Sequence, residues 1–414
     1  MVVIYLDGIL GIISEYNPFH NGHLHHLEVS KQITNSEFSV AVMSGNFVER
    51  GDTSLVDKWT KAEMAIRNGI DLVIELPTLY AISSAENFAD GAIKILNSLG
   101  VVDYVSFGSE IGDISPMNDI AEILYNEPKE FTSLIKAQLH SGLSYAKARE
   151  IAISQFFGSS MKYSEVLTNP NNILGVEYLK ALKRQKSNMV PVTVKRDYSD
   201  YNSVNVKKGI ASATAIRTMI EHNKNVHYVV PLETYDLLSD CIEEGRIVKN
   251  LSVFEKQIIY ILRRMSIEEI RALPDVNEGL EYKIKEAAYL HNNLADLIEE
   301  IKSKRYAQSR IQRILLYALL NITEKDMALS KRTIPYIRVL GFNRHGKRII
   351  SAIAAANPKL SIIVSVKKFM DSPGNTSLKN MISKDILATN IYTLGYNNNS
   401  IANLDYTKKV FELK

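Results

Sequence analysis

"EYNPFHNGHLHHL", residues 15–27, places four histidines in thirteen positions, directly after the short apolar run "LGIIS" (10–14). We read this as a strand that empties into a turn built from Asn17, Pro18 and Gly22, followed by a helix that begins near His23. The first amides of such a helix have no backbone partner and carry partial positive charge, so they attract phosphate. Gly22 permits close approach of a ligand to the backbone. The imidazoles of His20 and His23 can donate to phosphoryl oxygens and stabilise charge that develops at an α-phosphate. Two other readings compete with this one. A metal site would place the histidines on one rigid face with a carboxylate or thiolate, and Glu28 does follow. However, Pro18 and Gly22 put His20 in a turn, and the two-histidine helix with an intervening Glu is absent. The remaining reading is a polar helix start without chemistry.

The surrounding pattern favours the phosphate reading. "FSVAVMS" (38–44), "DLVIELP" (71–77), "YVSFGS" (104–109) and "VPVTVKR" (190–196) read, like residues 10–14, as strands buried on both faces. Between them lie helical stretches such as "DKWTKAEMAIRNG" and "AENFADGAIKILNSLG", which end at Gly69 and Gly100, where a left-handed terminator is expected. Alternating strands and helices predict an α/β fold with a Rossmann-like, doubly wound parallel sheet, whose ligands bind beyond the carboxyl ends of the strands. Past about residue 225 the spacing becomes helical. We therefore expect a catalytic domain over 1–225 and a mostly helical domain over 226–414, joined near "HNKNVHYVVP" (222–231). A short strand pair is expected around "PYIRVLGFN" and "LSIIVSV".

Bulk properties set the class. The 414 residues are 46% hydrophobic and 23% charged, as in an ordinary globular protein. Cys241 is the single cysteine, which excludes an internal disulfide framework and suits a reducing cytoplasm. No apolar run is long enough to span a bilayer, and the opening "VVIYLDGILGII" lacks the cationic flank of a signal peptide. A net charge of +3 does not by itself identify a polyanionic partner.

A second phosphate cradle is expected in "GIASATAIRTMI" (209–220). Ser212 and Thr214 precede Arg217 at a helix start, which combines hydroxyls, amides and a guanidinium. An ordinary serine-capped helix with a solvated arginine would look the same in isolation. The two motifs together are more specific. "HNGH" resembles the (H/T)xGH signature of the nucleotidyltransferase superfamily, and "IASATAIR" resembles its ISSTxxR motif. The longer blocks "SEYNPFHNGHLHHL", "VMSGNFVERGD", "GIDLVIELP", "FGSE", "NPNNILGVEYLKAL" and "KRYAQSRIQRILLYALLNI" resemble the bacterial tRNA(Met) cytidine acetate ligases. The likeness runs from about residue 11 to the end, and the first ten residues look extra.

The resemblance implies an enzyme that makes acetyl-adenylate from acetate and ATP, expected with Mg2+, and passes the acetyl group to the wobble cytidine of elongator tRNA(Met). By carry-over, ATP lies along the strand end Ile13, Ser14 and Glu15 and the turn Tyr16, Asn17, Pro18, Phe19 and His20. It continues over the helix start Asn21, Gly22, His23, Leu24, His25 and His26. His20, His23, Ser212, Thr214 and Arg217 would be catalytic. Gly108 would leave room for adenine or ribose, Asn171 or Asn172 would offer amide edges, and Arg196 would bind phosphate. Lys58 and Lys61 read as solvated lysines that could face triphosphate or RNA. The lysine-serine loop of tRNA synthetases is missing, which argues against aminoacylation.

From Lys302 to Arg348 there are twelve Lys/Arg and two acids. We assign Lys304, Arg305, Arg310, Arg313, Arg344, Lys347 and Arg348 to RNA phosphates. Tyr306, Tyr336 and Phe342 are candidates for stacking on bases, with core packing as their default. Two other functions fit parts of the pattern: a cofactor adenylyltransferase, and a non-catalytic tRNA-binding protein on the same sheet.

Overall fold

The computed structural model describes residues 6, 8–158, 160–196, 209–333, 336–399 and 401–414. Five parallel strands form the expected sheet: β1 (Ile9–Ser14), β2 (Phe38–Ser44), β3 (Leu72–Leu76), β4 (Tyr104–Ser109) and β5 (Val190–Lys195). Their order is β3-β2-β1-β4-β5. The winding reverses between β1 and β4, and the crevice at their carboxyl ends is where such sheets bind ligands. β1 already begins at Ile9, inside the stretch expected to be extra; residues 1–5 and 7 lie outside the described set. β5 departs from the expected double burial. It is an edge strand among the described residues, where no strand pairs beyond it, and Val190 is exposed while Val194 is its one buried residue.

Alternation along each strand divides the interior into two layers. Ile9, Ile13, Val40, Val42 and Ile74 face one apolar cluster, whereas Leu10, Ile12, Ala41, Met43 and Val73 face the other. Helices α1 (Asn21–Thr34), α2 (Lys58–Arg67) and α5 (Ala213–Glu221) cover the second face. The first face is covered by α3 (Ala85–Leu99) and α4 (Pro170–Arg184). Gly69 and Gly100 take the positive φ values, +99° and +68°, that end α2 and α3 as the sequence predicts.

The first-face cluster continues without a break into the later helices, among them α6 (Gln308–Leu319) and α8 (Thr376–Tyr392). The chain beyond residue 225 also returns to the sheet. β6 (Ile337–Phe342) pairs antiparallel with β3, and β7 (Ile362–Ile363) and β8 (Phe411–Glu412) pair parallel with β6. The two anticipated strands do meet, at Ile337 and Ile362, but within the main sheet. Described residues on both sides of position 225 thus contribute to one apolar cluster and one sheet.

Candidate nucleotide site

α1 begins at Asn21, two residues earlier than its histidine spacing suggests, because His20 is its N-cap. His20 Nδ1 accepts from the Gly22 amide at 3.0 Å, and His23 Nδ1 accepts from the His20 amide at 3.3 Å. This is a capping box made from two imidazoles. With Nδ1 accepting, the proton of each neutral ring sits on Nε2, the edge available to a phosphoryl oxygen. The rings stack at 3.7 Å, and Tyr16 and Phe19 flank His23. Gly22 serves this arrangement directly, since a Cβ there would lie 2.9 Å from His20 Cε1. What approaches the glycine in this structure is therefore the His20 ring.

Burial keeps these rings neutral. It pulls His20 down to about 3, aided by the charges of Arg196 and Arg217. It also pulls His23 well below the ordinary range, aided by His20 and Arg196. His26 falls to about 4, again mainly from burial and then from Arg196. Each ring binds a proton near pH 6.5 when unfolded but resists it when folded. Their contribution to stability is therefore complete above about pH 6.5 and is lost as the pH falls toward the folded values. We expect the Tm to drop on acidification below that point, and His20→Asn to flatten the drop. An unchanged slope in differential scanning calorimetry would remove His20 as a titrating group.

The second motif converges on the first. Arg217 Nη1 donates to the Asn17 carbonyl at 2.9 Å and Nη2 donates to Thr214 Oγ1 at 3.2 Å. Asn21 completes the clamp: its amide donates to Val229 O at 3.1 Å and its Nδ2 donates to Gly209 O at 2.8 Å. Asn17 is itself held by Thr53 O and the Leu55 amide. Ser212 caps α5, accepting from the Ala215 amide at 3.1 Å. The charges of Arg196 and Arg217 thus act on His20, and that of Arg196 on His23, at the switch point, an arrangement suited to a polyphosphate.

Other residues expected along ATP have different surroundings. Ile13 lies in the first-face core, Tyr16 and Phe19 lie in the second, and Leu24 packs against that second core. His26 turns toward β4, with Nε2 3.1 Å from Ser106 Oγ, and His25 is exposed. The carboxylate of Glu15 accepts from the Glu49 amide at 2.8 Å. Above Gly108 lies the stem of Arg196, whose Cγ and Cδ would be 3.2 Å from a Cβ there, so the open face expected for adenine is filled by this side chain. Asn172 is buried, and its Oδ1 accepts from the amides of Glu110 and Ile111. The Glu110 carboxylate in turn accepts from the amides of Asn171 and Asn172 and from Asn171 Nδ2. The helix start that offered amide edges already holds an anion of the protein's own.

Lys58 and Lys61 are fully buried, contrary to the solvated reading. Asp57 caps α2, which turns both lysines inward. Lys61 Nζ donates to Glu15 O, Ser44 O and Ser54 Oγ at 2.8–2.9 Å, bracing the carboxyl ends of β1 and β2. Burial lowers its ammonium to about 7. Sequence spacing gave no sign of this brace.

The basic residues assigned to RNA divide into three groups. Lys304 and Arg305 are exposed, while Arg310 donates to Asp275 O and Asn277 Oδ1 and lies over the Tyr306 ring. Arg313 is 8% exposed and sits between Glu49 and Asp275, so it is a brace and not a phosphate ligand. Arg344, Lys347 and Arg348 lie on α7 (Arg344–Ala356). That helix follows β6, whose end is opposite Leu72, the first residue of β3. They therefore sit at the amino edge of the sheet, a strand length of about 20 Å from the histidines. Tyr336 is wholly buried and hydrogen bonds Asp385, so it cannot stack on a base.

Fold and cradle together define a nucleotidyltransferase-type α/β protein. A family model described as HIGH Nucleotidyl Transferase matches residues 8–406. The tRNA(Met) cytidine acetate ligase of Thermoanaerobacter sp. is 45% identical over 98% of this chain and 100% of its own. That of Caldanaerobacter subterraneus is 46% identical, covering 98% of this chain and 99% of its own. Thermotoga maritima TmcAL in its apo form superposes with a TM-score of 0.92, at 32% identity over 98% of this chain and 99% of that one. The same protein bound with alpha-thio ATP gives a TM-score of 0.90 with the same identity and coverage. The chain belongs to the tRNA(Met) cytidine acetate ligase family of HIGH nucleotidyl transferases.

Proposed function

We propose that the protein activates acetate with ATP and transfers the acetyl group to the wobble cytidine of elongator tRNA(Met). The observation that carries this is the hydrogen bond from Arg217 to Asn17 O, about 200 residues away, in the turn that leads from β1 to His20 and His23. An acetate oxygen attacks the α-phosphate, the bond to the bridging oxygen breaks, and pyrophosphate leaves with the electron pair. The cytidine N4 then bonds to the acetyl carbon, AMP leaves with the electrons of the cleaved C–O bond, and N4 gives up a proton. Both steps build negative charge on phosphoryl or carbonyl oxygens, which neutral Nε2–H donors and the guanidiniums of Arg217 and Arg196 would stabilise. Ser212, whose hydroxyl oxygen caps α5, keeps its proton free to donate to the nucleotide. Thr214 orients Arg217 through the hydrogen bond between them.

Mg2+ would enter as a counterion of the ATP phosphates. Among the described residues no group of three or more His, Cys, Asp or Glu is placed to hold a metal ion. Lys304, Arg305 and Arg310 supply phosphate contacts on the RNA side. Among the described residues no helix is long and apolar enough to cross a membrane, and we place the reaction in the cytoplasm, where tRNA and ATP are found. The test mixes purified protein with ATP, labelled acetate and tRNA(Met). Label recovered as acetylcytidine at the wobble position is the expected result. Label that stays off the RNA would remove this reading and leave a cofactor adenylyltransferase as the alternative. Acetate-dependent exchange of labelled pyrophosphate into ATP would reject a non-catalytic RNA-binding protein.

A further inference from the structure

Beside the phosphate cradle lies a recess of about 100 Å³ that shares Thr214 and Arg217 with the cradle and adds residues the nucleotide site does not use. One wall is a single face of α5, carrying Thr214, Arg217 and Thr218; the other is formed by Asp52, Leu55 and Lys249. We infer that this recess receives the acceptor base of the RNA, a cytosine whose exocyclic amine is held by Asp52. The inference rests on the proposed acetyl transfer and names the subsite for its second step.

Asp52 is fixed where it stands. Its Oδ1 accepts from the Thr53 amide at 2.8 Å and the Leu251 amide at 2.7 Å. Its Oδ2 accepts from no described residue. A carboxylate next to Arg217, with Glu221 also on the rim, makes the recess a poor site for a second anion. It is suited to a heteroaromatic edge with one amine donor and adjacent acceptors. Cytosine presents N4–H to a carboxylate, with N3 and O2 available to donors such as Thr218 and Lys249, whereas uracil would set an oxygen against Asp52. Arg217 is shared with the cradle through its bond to Asn17 O. An acyl group on the α-phosphate and an amine in the recess would therefore border the same guanidinium. Bases of an unpaired loop can be splayed into such a pocket.

Asp52→Asn tests this, because the amide keeps an oxygen for the two backbone donors and replaces Oδ2 with a donor that faces N4. Acetyl transfer to tRNA(Met) should fall by about 10- to 100-fold, with acetate-dependent pyrophosphate exchange affected at least tenfold less. In direct binding, the wild-type preference for cytidine over uridine at the wobble position should be lost. Thr218→Trp, which fills the recess from a half-buried helix position, should give the same split if Asp52→Asn fails to fold. Equal losses in exchange and transfer would assign the recess to the nucleotide and overturn the inference, as would unchanged transfer. Failure of the wild-type protein to acetylate any RNA would instead count against the proposed function, with the cytidine preference in binding still deciding the recess.

Discussion

Alanine at His23 is expected to lower acetate-dependent pyrophosphate exchange by about 10²- to 10³-fold, with tRNA affinity nearly intact. The ring is walled by His20, Tyr16 and Phe19, and its Nδ1 is engaged by the His20 amide, so only its Nε2 edge is directed to chemistry. Burial holds the imidazole neutral, so the variant loses a hydrogen-bond donor and not a charge. The defect should therefore be similar across pH 7 to 8. Alanine also dismantles half of the capping box, at about 1 kcal/mol, so exchange must be measured well below the variant's Tm. Filter binding of tRNA is the control. A parallel loss of affinity would contradict the separation of nucleotide chemistry from RNA contacts.

Lys58→Met should destabilise the fold by about 3–5 kcal/mol, the usual range for removing one member of a buried ion cluster. Lys58 Nζ lies 2.9 Å from Glu75 Oε1 and 2.8 Å from Asp405 Oδ1, and all three side chains are essentially sealed from water. Arg338 completes the cluster from β6, 3.2 Å from Glu75 and also paired with Asp405. A third acid lies nearby. Burial and the charge of Glu75 push the Asp385 carboxyl up to about 7. Without Lys58, Arg338 alone must neutralise Glu75 and Asp405. Urea unfolding measures the loss, and the double variant Lys58→Met/Asp405→Asn should cost less than the sum of the singles because the two groups compensate each other. Additive losses would show that the groups are not coupled.

Much of the α/β core was legible from local pattern. The strands at 38–44 and 104–109 match their apolar runs to the residue, because a strand buried on both faces needs a continuous apolar segment whatever its neighbours. The ends of α2 and α3 were equally visible in Gly69 and Gly100. The two helix starts at His20 and Ser212 were legible for a related reason, since caps need particular residue types within a few positions. β5 misled because an edge strand can carry the same apolar sequence as a central one.

The sequence by itself determined the winding class of the sheet, the capped helix starts near His20 and Ser212 and the apolar faces of the helices, all of which depend on neighbours a few residues apart. Only the tertiary structure decided which partners they meet: Arg217 on Asn17, Arg196 over Gly108, Glu110 on the start of α4, and Lys58 with Asp405. It also moved Arg313 inside and carried Arg344, Lys347 and Arg348 to the opposite edge of the sheet. The reason is that a lysine or arginine looks the same in sequence whether water or a buried carboxylate balances its charge. The balancing group, here up to 347 residues away, is chosen by the packing of the whole chain.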